Sequence, residues 1–302
     1  MVPWPRNRQS PNTHEAPTRY RPYRVPDETT ASVPIDDTAW YLPGRLPAGQ
    51  RGARLIMRRW LPEMLALPLL PLLTVQGRRV RRVTPRLPEA AGPDHGLCGA
   101  HHAGVPLRLL AVGESPVAGV GVGTHDEAIT AALANALSPL LARPVSWRAC
   151  GLNGVTVAQA QTRLLPRVPA EPVDLLLVAF GVNDSTSFRS SGGWQGDLAV
   201  LLQALQERCQ PRLTLLSGVP PIGHFPSLPQ PLRWVLGLKA AALDHAAATL
   251  AAATPGVLHV PMRLDNAMPG LMASDNYHPS AAGCAAWGRE LAQAASQHCM
   301  HW

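Results

Sequence analysis

From about Val105 onward, five largely apolar runs alternate with Ala- and Leu-rich stretches, and this alternation constrains the fold more than any other feature of the chain. The runs are PLRLLAV (106–112), PVSWRAC (144–150), VDLLLVAF (173–180), RLTLLSGV (212–219) and VLHVPM (257–262). A strand with one wet face alternates apolar and polar residues, whereas a continuous apolar run fits a parallel strand covered on both faces. The intervening stretches, roughly 124–142, 155–165, 194–209, 231–253 and 280–297, have helical spacing. Five strand-and-helix units predict a three-layer α/β/α sandwich with right-handed crossovers.

In such a sheet, functional groups gather at the carboxyl edge of the strands. Read in order, those ends give Gly113-Glu114-Ser115, Gly151-Leu152-Asn153-Gly154, Gly181-Val182-Asn183-Asp184 and Gly218-Val219-Pro220-Pro221. After the fifth comes Asp275-Asn276-Tyr277-His278-Pro279, just before the last helix, whose first turn Pro279 suits. A serine nucleophile needs a base to take its proton, a carboxylate to orient that base, and donors for the oxyanion. Asp275 and His278 lie three apart in one loop, so the carboxylate can hold Nδ1–H while Nε2 faces Ser115. The donors would be the backbone N–H groups of Ser115 and Gly154 and the amide of Asn183. Each residue also has a plainer reading. Ser115 can cap a helix, His278 can be a satisfied surface histidine, and Asn183 can form an Asx-turn. Asp184 is the rival carboxylate, expected to be structural, and Gly151 competes with Gly154.

Taken together, these blocks resemble the SGNH (GDSL) hydrolase family. Its serine in a GDS turn, glycine in a second block, asparagine in GxND and histidine in DxxHP fall on Ser115, Gly154, Asn183 and His278. Asp275 takes the place of the orienting acid, and GVPP at 218–221 also resembles the family; the similarity spans about residues 105–298. The resemblance implies a five-stranded parallel flavodoxin-like sheet of order 2-1-3-4-5. It also implies hydrolysis of small-molecule carboxylic esters or thioesters through an acyl-serine, with neither cofactor nor metal. One departure is Glu114, where the family has aspartate. His224 and Phe225 are candidate pocket residues, and the apolar, proline-rich stretch 225–236 points to a small or medium acyl chain. Two alternatives stand beside hydrolysis: a degenerate binding protein of the same fold, and transfer to an acceptor other than water. Gly119, Gly121 and Gly123 have the wrong spacing for a dinucleotide fingerprint.

Charge separates the two ends of the chain. From His101 onward 12 basic residues face 12 acidic ones, while the first hundred residues hold 15 arginines and 8 acids, the whole +7 excess. A neutral catalytic region speaks against nucleic acid as a partner and leaves an anionic membrane surface for the basic part. Residues 1–56, rich in Pro and Arg, read as a loosely attached extension or as sequence upstream of a true start at Met57, with no secretory signal. Residues 57–104 read as a basic and apolar segment that packs on the domain 105–302 or contacts a membrane through 57–82. Its uncharged run, Met64–Val75, spans twelve residues against the ~20 of a transmembrane helix, and Pro68 and Pro71 are expected to break it. The cysteines, Cys98, Cys150, Cys209, Cys284 and Cys299, are odd in number and lack CxxC spacing, which fits reduced thiols in a cytoplasmic protein. Oligomeric state is left open by the sequence.

Overall fold

The computed structural model describes residues 48–263 and 269–300, so most of the 1–56 extension lies outside the described residues. The five predicted strands are β2 (Leu107–Gly113), β3 (Val145–Gly151), β4 (Leu175–Ala179), β5 (Leu213–Ser217) and β6 (Val257–Val260). They pair in parallel in the order β3-β2-β4-β5-β6, which is the expected 2-1-3-4-5. The sheet has six strands rather than five, because β1 (His95–Cys98) adds an antiparallel edge on β3. Its sequence, HGLC, is too short and mixed to read as an apolar run.

Two-sided burial explains the continuous apolarity of the runs. Leu109 and Ala111 of β2 face a core with α2 (Ile129–Leu141) and α7 (Ala281–Cys299). Leu110 and Val112 face the opposite core, with α3 (Val157–Arg163), α5 (Ser191–Cys209) and α6 (Leu232–Ala252). A short helix, α4 (Val182–Thr186), follows β4 directly. All five cysteines are buried and unpaired.

The N-terminal region departs furthest from expectation. Ala48–Val83 form one helix, α1, with Pro62, Pro68 and Pro71 inside it. A proline inside a helix costs ~3 kcal/mol through its missing N–H and steric clash. Here tertiary contact offsets that cost. Pro62, Ala66 and Leu73 are buried, and Gln76 donates from Nε2 to the Gln230 carbonyl (2.7 Å) and accepts from the Leu232 N–H (3.1 Å). The only lysine of the chain, Lys239 on α6, is fully buried and pairs with Glu63 of α1.

This pair makes a stability prediction. Removing one partner of a buried ion pair strands the other charge, so Glu63→Ala should destabilise the fold by about 3 kcal/mol or more. Replacing both together, as Glu63→Leu with Lys239→Met, should cost far less. Guanidinium unfolding of the two variants and the parent checks the ordering.

Candidate active site

The Ser115 turn begins where β2 ends. The Glu114 N–H donates to the Ala179 carbonyl (3.1 Å), and the Val117 and Ala118 N–H groups both return to the Glu114 carbonyl (3.0 and 3.1 Å). This folds the chain back tightly at Ser115, which is only 7% exposed. Gly151 makes the turn possible from the next strand, because a Cβ there would lie 2.2 Å from the Ala118 nitrogen. Of the two competing glycines, Gly151 is therefore the packing residue. Gly154 is exposed in the following loop with φ of +75°. The Asn153 N–H beside it donates to Glu89 Oε1 (2.8 Å). Among the described residues, neither the Ser115 N–H nor the Gly154 N–H has a hydrogen-bond partner.

The histidine loop is built around Asp275. Its Oδ1 accepts the N–H groups of Tyr277 and His278 (both 3.0 Å), and its Oδ2 lies 2.6 Å from His278 Nδ1. Asn276 takes the left-handed conformation (φ 52°) that this turn requires. The Ala273 N–H donates to the His278 carbonyl (2.8 Å) and the Ser280 N–H to the Leu271 carbonyl (2.9 Å), closing the loop. Ser280, not Pro279, caps α7: its hydroxyl accepts from the Gly283 N–H. Burial opposes ionisation of Asp275, but the His278 ring and the two N–H groups outweigh it and hold the carboxyl below its ordinary value. An ionised acceptor assigns the proton to Nδ1 and leaves Nε2 as the basic nitrogen.

The two loops meet at Gly121. With φ of +103°, it sits so that a Cβ would lie 2.4 Å from the Pro279 carbonyl oxygen and 3.1 Å from the His278 Cβ. The spacing of Gly121 does not fit a dinucleotide loop; its use is the close approach of the Ser115 loop to the histidine loop. The structure thus joins Asp275 to His278 and brings their loop against that of Ser115. Among the described residues, the Ser115 hydroxyl makes no hydrogen bond.

Glu114 links the first block to the third. It is 2% exposed, and its carboxylate accepts the Val182 N–H (2.9 Å), the Asn183 N–H (3.1 Å) and the Asn183 amide (2.5 Å). The same Nδ2 also donates to the Val155 carbonyl (3.2 Å), so both amide hydrogens of Asn183 are engaged. Burial is the largest influence on the Glu114 carboxyl and pushes it up to about 8, with Asp184 adding to the rise against the three N–H donors. Asp184, the rival carboxylate, instead accepts the Val157 N–H at the start of α3 (3.2 and 3.3 Å to its two oxygens). Burial pushes its carboxyl up to about 6. Phe225 is buried and stands edge-on to Tyr277 (5.3 Å), which stands edge-on to His278 (5.2 Å). His224 is exposed beside it.

A folded-state rise for an acid means that the native chain keeps a proton the unfolded chain has lost. Between the ordinary value of 4.5 and about 8, stability contributed at Glu114 therefore falls as pH rises. The difference in unfolding free energy between the parent and Glu114→Gln should fall with pH across that window, by at most ~1.4 kcal/mol per pH unit, and be flat above it. Urea unfolding of both proteins over a pH series measures it.

A model of the GDSL-like lipase/acylhydrolase family matches residues 111–286, more than half of the chain. No curated protein matches it. Among solved structures, the chain is similar to the lipase Lip_vut3 from a goat rumen metagenome, at 17% identity and a TM-score of 0.50 over 62% of this chain and 97% of that one. It is also similar to an extracellular lipase from Streptomyces rimosus, at 16% identity and a TM-score of 0.47 over 63% and 99%. At such identity the first of these likenesses speaks for the fold alone.

Proposed function

This chain belongs to the GDSL-like lipase/acylhydrolase family, and on that premise we propose that it is a serine esterase, a carboxylic ester hydrolase working through an acyl-serine intermediate. The observation that carries the reading is the Asp275–His278 pair at 2.6 Å in a loop packed against the Ser115 turn through Gly121.

Ser115 attacks the ester carbonyl while His278 Nε2 accepts its proton; the ionised Asp275 stabilises the imidazolium and fixes the ring. The N–H groups of Ser115 and Gly154, unpartnered among the described residues, are the donors available to the tetrahedral oxyanion. Each such donor contributes about 3–4 kcal/mol to the transition state. Asn183, expected as the third donor, has both amide hydrogens engaged by Glu114 and the Val155 carbonyl, so it donates to the oxyanion only when one of those bonds is given up. His278 then protonates the leaving alcohol. Water, activated by the same nitrogen, attacks the acyl-serine, and the second tetrahedral intermediate collapses to release the acid and restore the Ser115 hydroxyl.

Phe225 and Tyr277 give the site an apolar wall beside His278. This supports esters of small or medium acyl chains as the substrate class. Neither metal nor cofactor enters any step.

Hydrolysis of p-nitrophenyl acetate and butyrate tests the assignment. Ser115→Ala should lower kcat by about a thousandfold or more. Asp275→Asn should lower it by roughly a thousandfold or more, because its amide no longer accepts the Nδ1 proton as an anion. Rates equal to the parent in Ser115→Ala would contradict the mechanism.

A further inference from the structure

The inner face of α1 is accounted for: Pro62, Ala66 and Leu73 are buried, and Glu63 turns inward to Lys239. The outer face has no partner among the described residues. Met64, Leu67, Pro68, Pro71, Leu72 and Val75 follow the three- and four-residue spacing of one helix face, and all are exposed, Met64 at 69%, Leu67 at 73% and Val75 at 63%. Beyond Val75 the same helix and its continuation carry Arg78, Arg79, Arg81, Arg82 and Arg86, every one exposed, and no acidic residue occurs from Met64 to Pro88.

We propose that the outer face of α1 is a docking surface for a lipid bilayer carrying anionic headgroups. The order of the side chains selects this occupant. The apolar stripe runs for only ~16 Å along the helix, too short for a ~30 Å hydrocarbon core but suited to a helix lying in the interface. The arginines then sit at headgroup level, where each basic residue adds about 1 kcal/mol against anionic lipid. A second copy of the chain fits less well. Parallel pairing would bring the two arginine clusters together, and antiparallel pairing would set arginines on the other copy's apolar stripe.

The helix that bears this surface also contacts the loop that leads to the candidate site. Gln76 of α1 holds Gln230 and Leu232 at the far end of the loop that starts with Phe225, and Phe225 packs on Tyr277 beside His278. A bilayer seated on α1 is thereby linked through Gln76 and the 225–232 loop to the wall of the site, and lipid-borne esters are the substrate class this link favours. The docking itself does not depend on the esterase reading, whereas this last consequence does.

Sedimentation of the full chain with vesicles of phosphatidylcholine alone, or with phosphatidylglycerol added, tests the proposal. The parent should bind the anionic vesicles far more strongly than the neutral ones, and binding should weaken as salt is raised. Leu67→Ser with Leu72→Ser and Val75→Ser should abolish most binding, and Arg78→Gln with Arg79→Gln and Arg82→Gln should weaken it by about fivefold per arginine. Both variants change exposed residues, so p-nitrophenyl acetate hydrolysis and the thermal midpoint should match the parent; a shared loss of activity in all proteins would indict the esterase reading and leave the docking result standing. Failure of the parent to bind anionic vesicles at low salt would overturn the proposal. So would binding unchanged in both variants, or a vesicle-free dimer that the serine variant converts to monomer.

Discussion

The close backbone contact between the Ser115 turn and its neighbours underlies everything else in the candidate site. β2 is buried on both faces and paired on both edges, so the chain leaves Gly113 in a fixed direction. A Cβ at Gly113 would meet the Ala179 carbonyl oxygen at 2.5 Å, and one at Gly151 would meet the Ala118 nitrogen at 2.2 Å. Adding even a methyl group at either position would push the Ser115 turn out of place. The Ser115 turn is therefore set by the sheet, and the histidine loop packs onto the segment that follows it through Gly121.

Around that turn, buried carboxylates do the tying. Glu114 reaches from the end of β2 to the start of α4, Asp184 from α4 to the start of α3, and Asp275 closes its own loop while holding His278. The first two are pushed up by burial, whereas Asp275 is held down by His278 and two N–H groups despite burial. This divergence separates structural acids from the one that would serve as the orienting anion. Glutamate at 114 reaches both backbone N–H groups and the Asn183 amide at once, so this one side chain fixes how Asn183 is held.

Much of this was legible in the sequence because the physics was local. A parallel strand buried on both faces must be apolar throughout, and the strands were readable within a few residues. The Asp275–His278 spacing was readable for the same reason: both residues sit in one short loop. What escaped depended on contacts between distant segments. HGLC of β1 is a strand only because β3 offers an edge, and α1 tolerates its prolines only because its inner face packs on α6. The use of Gly121 depends on where Pro279 ends up, which no spacing within residues 119–123 reveals.

The central claim is that Ser115 is the residue that becomes acylated. Treating the protein with a fluorophosphonate and locating the adduct by peptide mass spectrometry tests it most directly. The account predicts one stoichiometric phosphonyl group on Ser115, absent from Ser115→Ala and strongly slowed in Asp275→Asn. A stoichiometric adduct on another residue, or none in a folded protein that still hydrolyses esters, would contradict it.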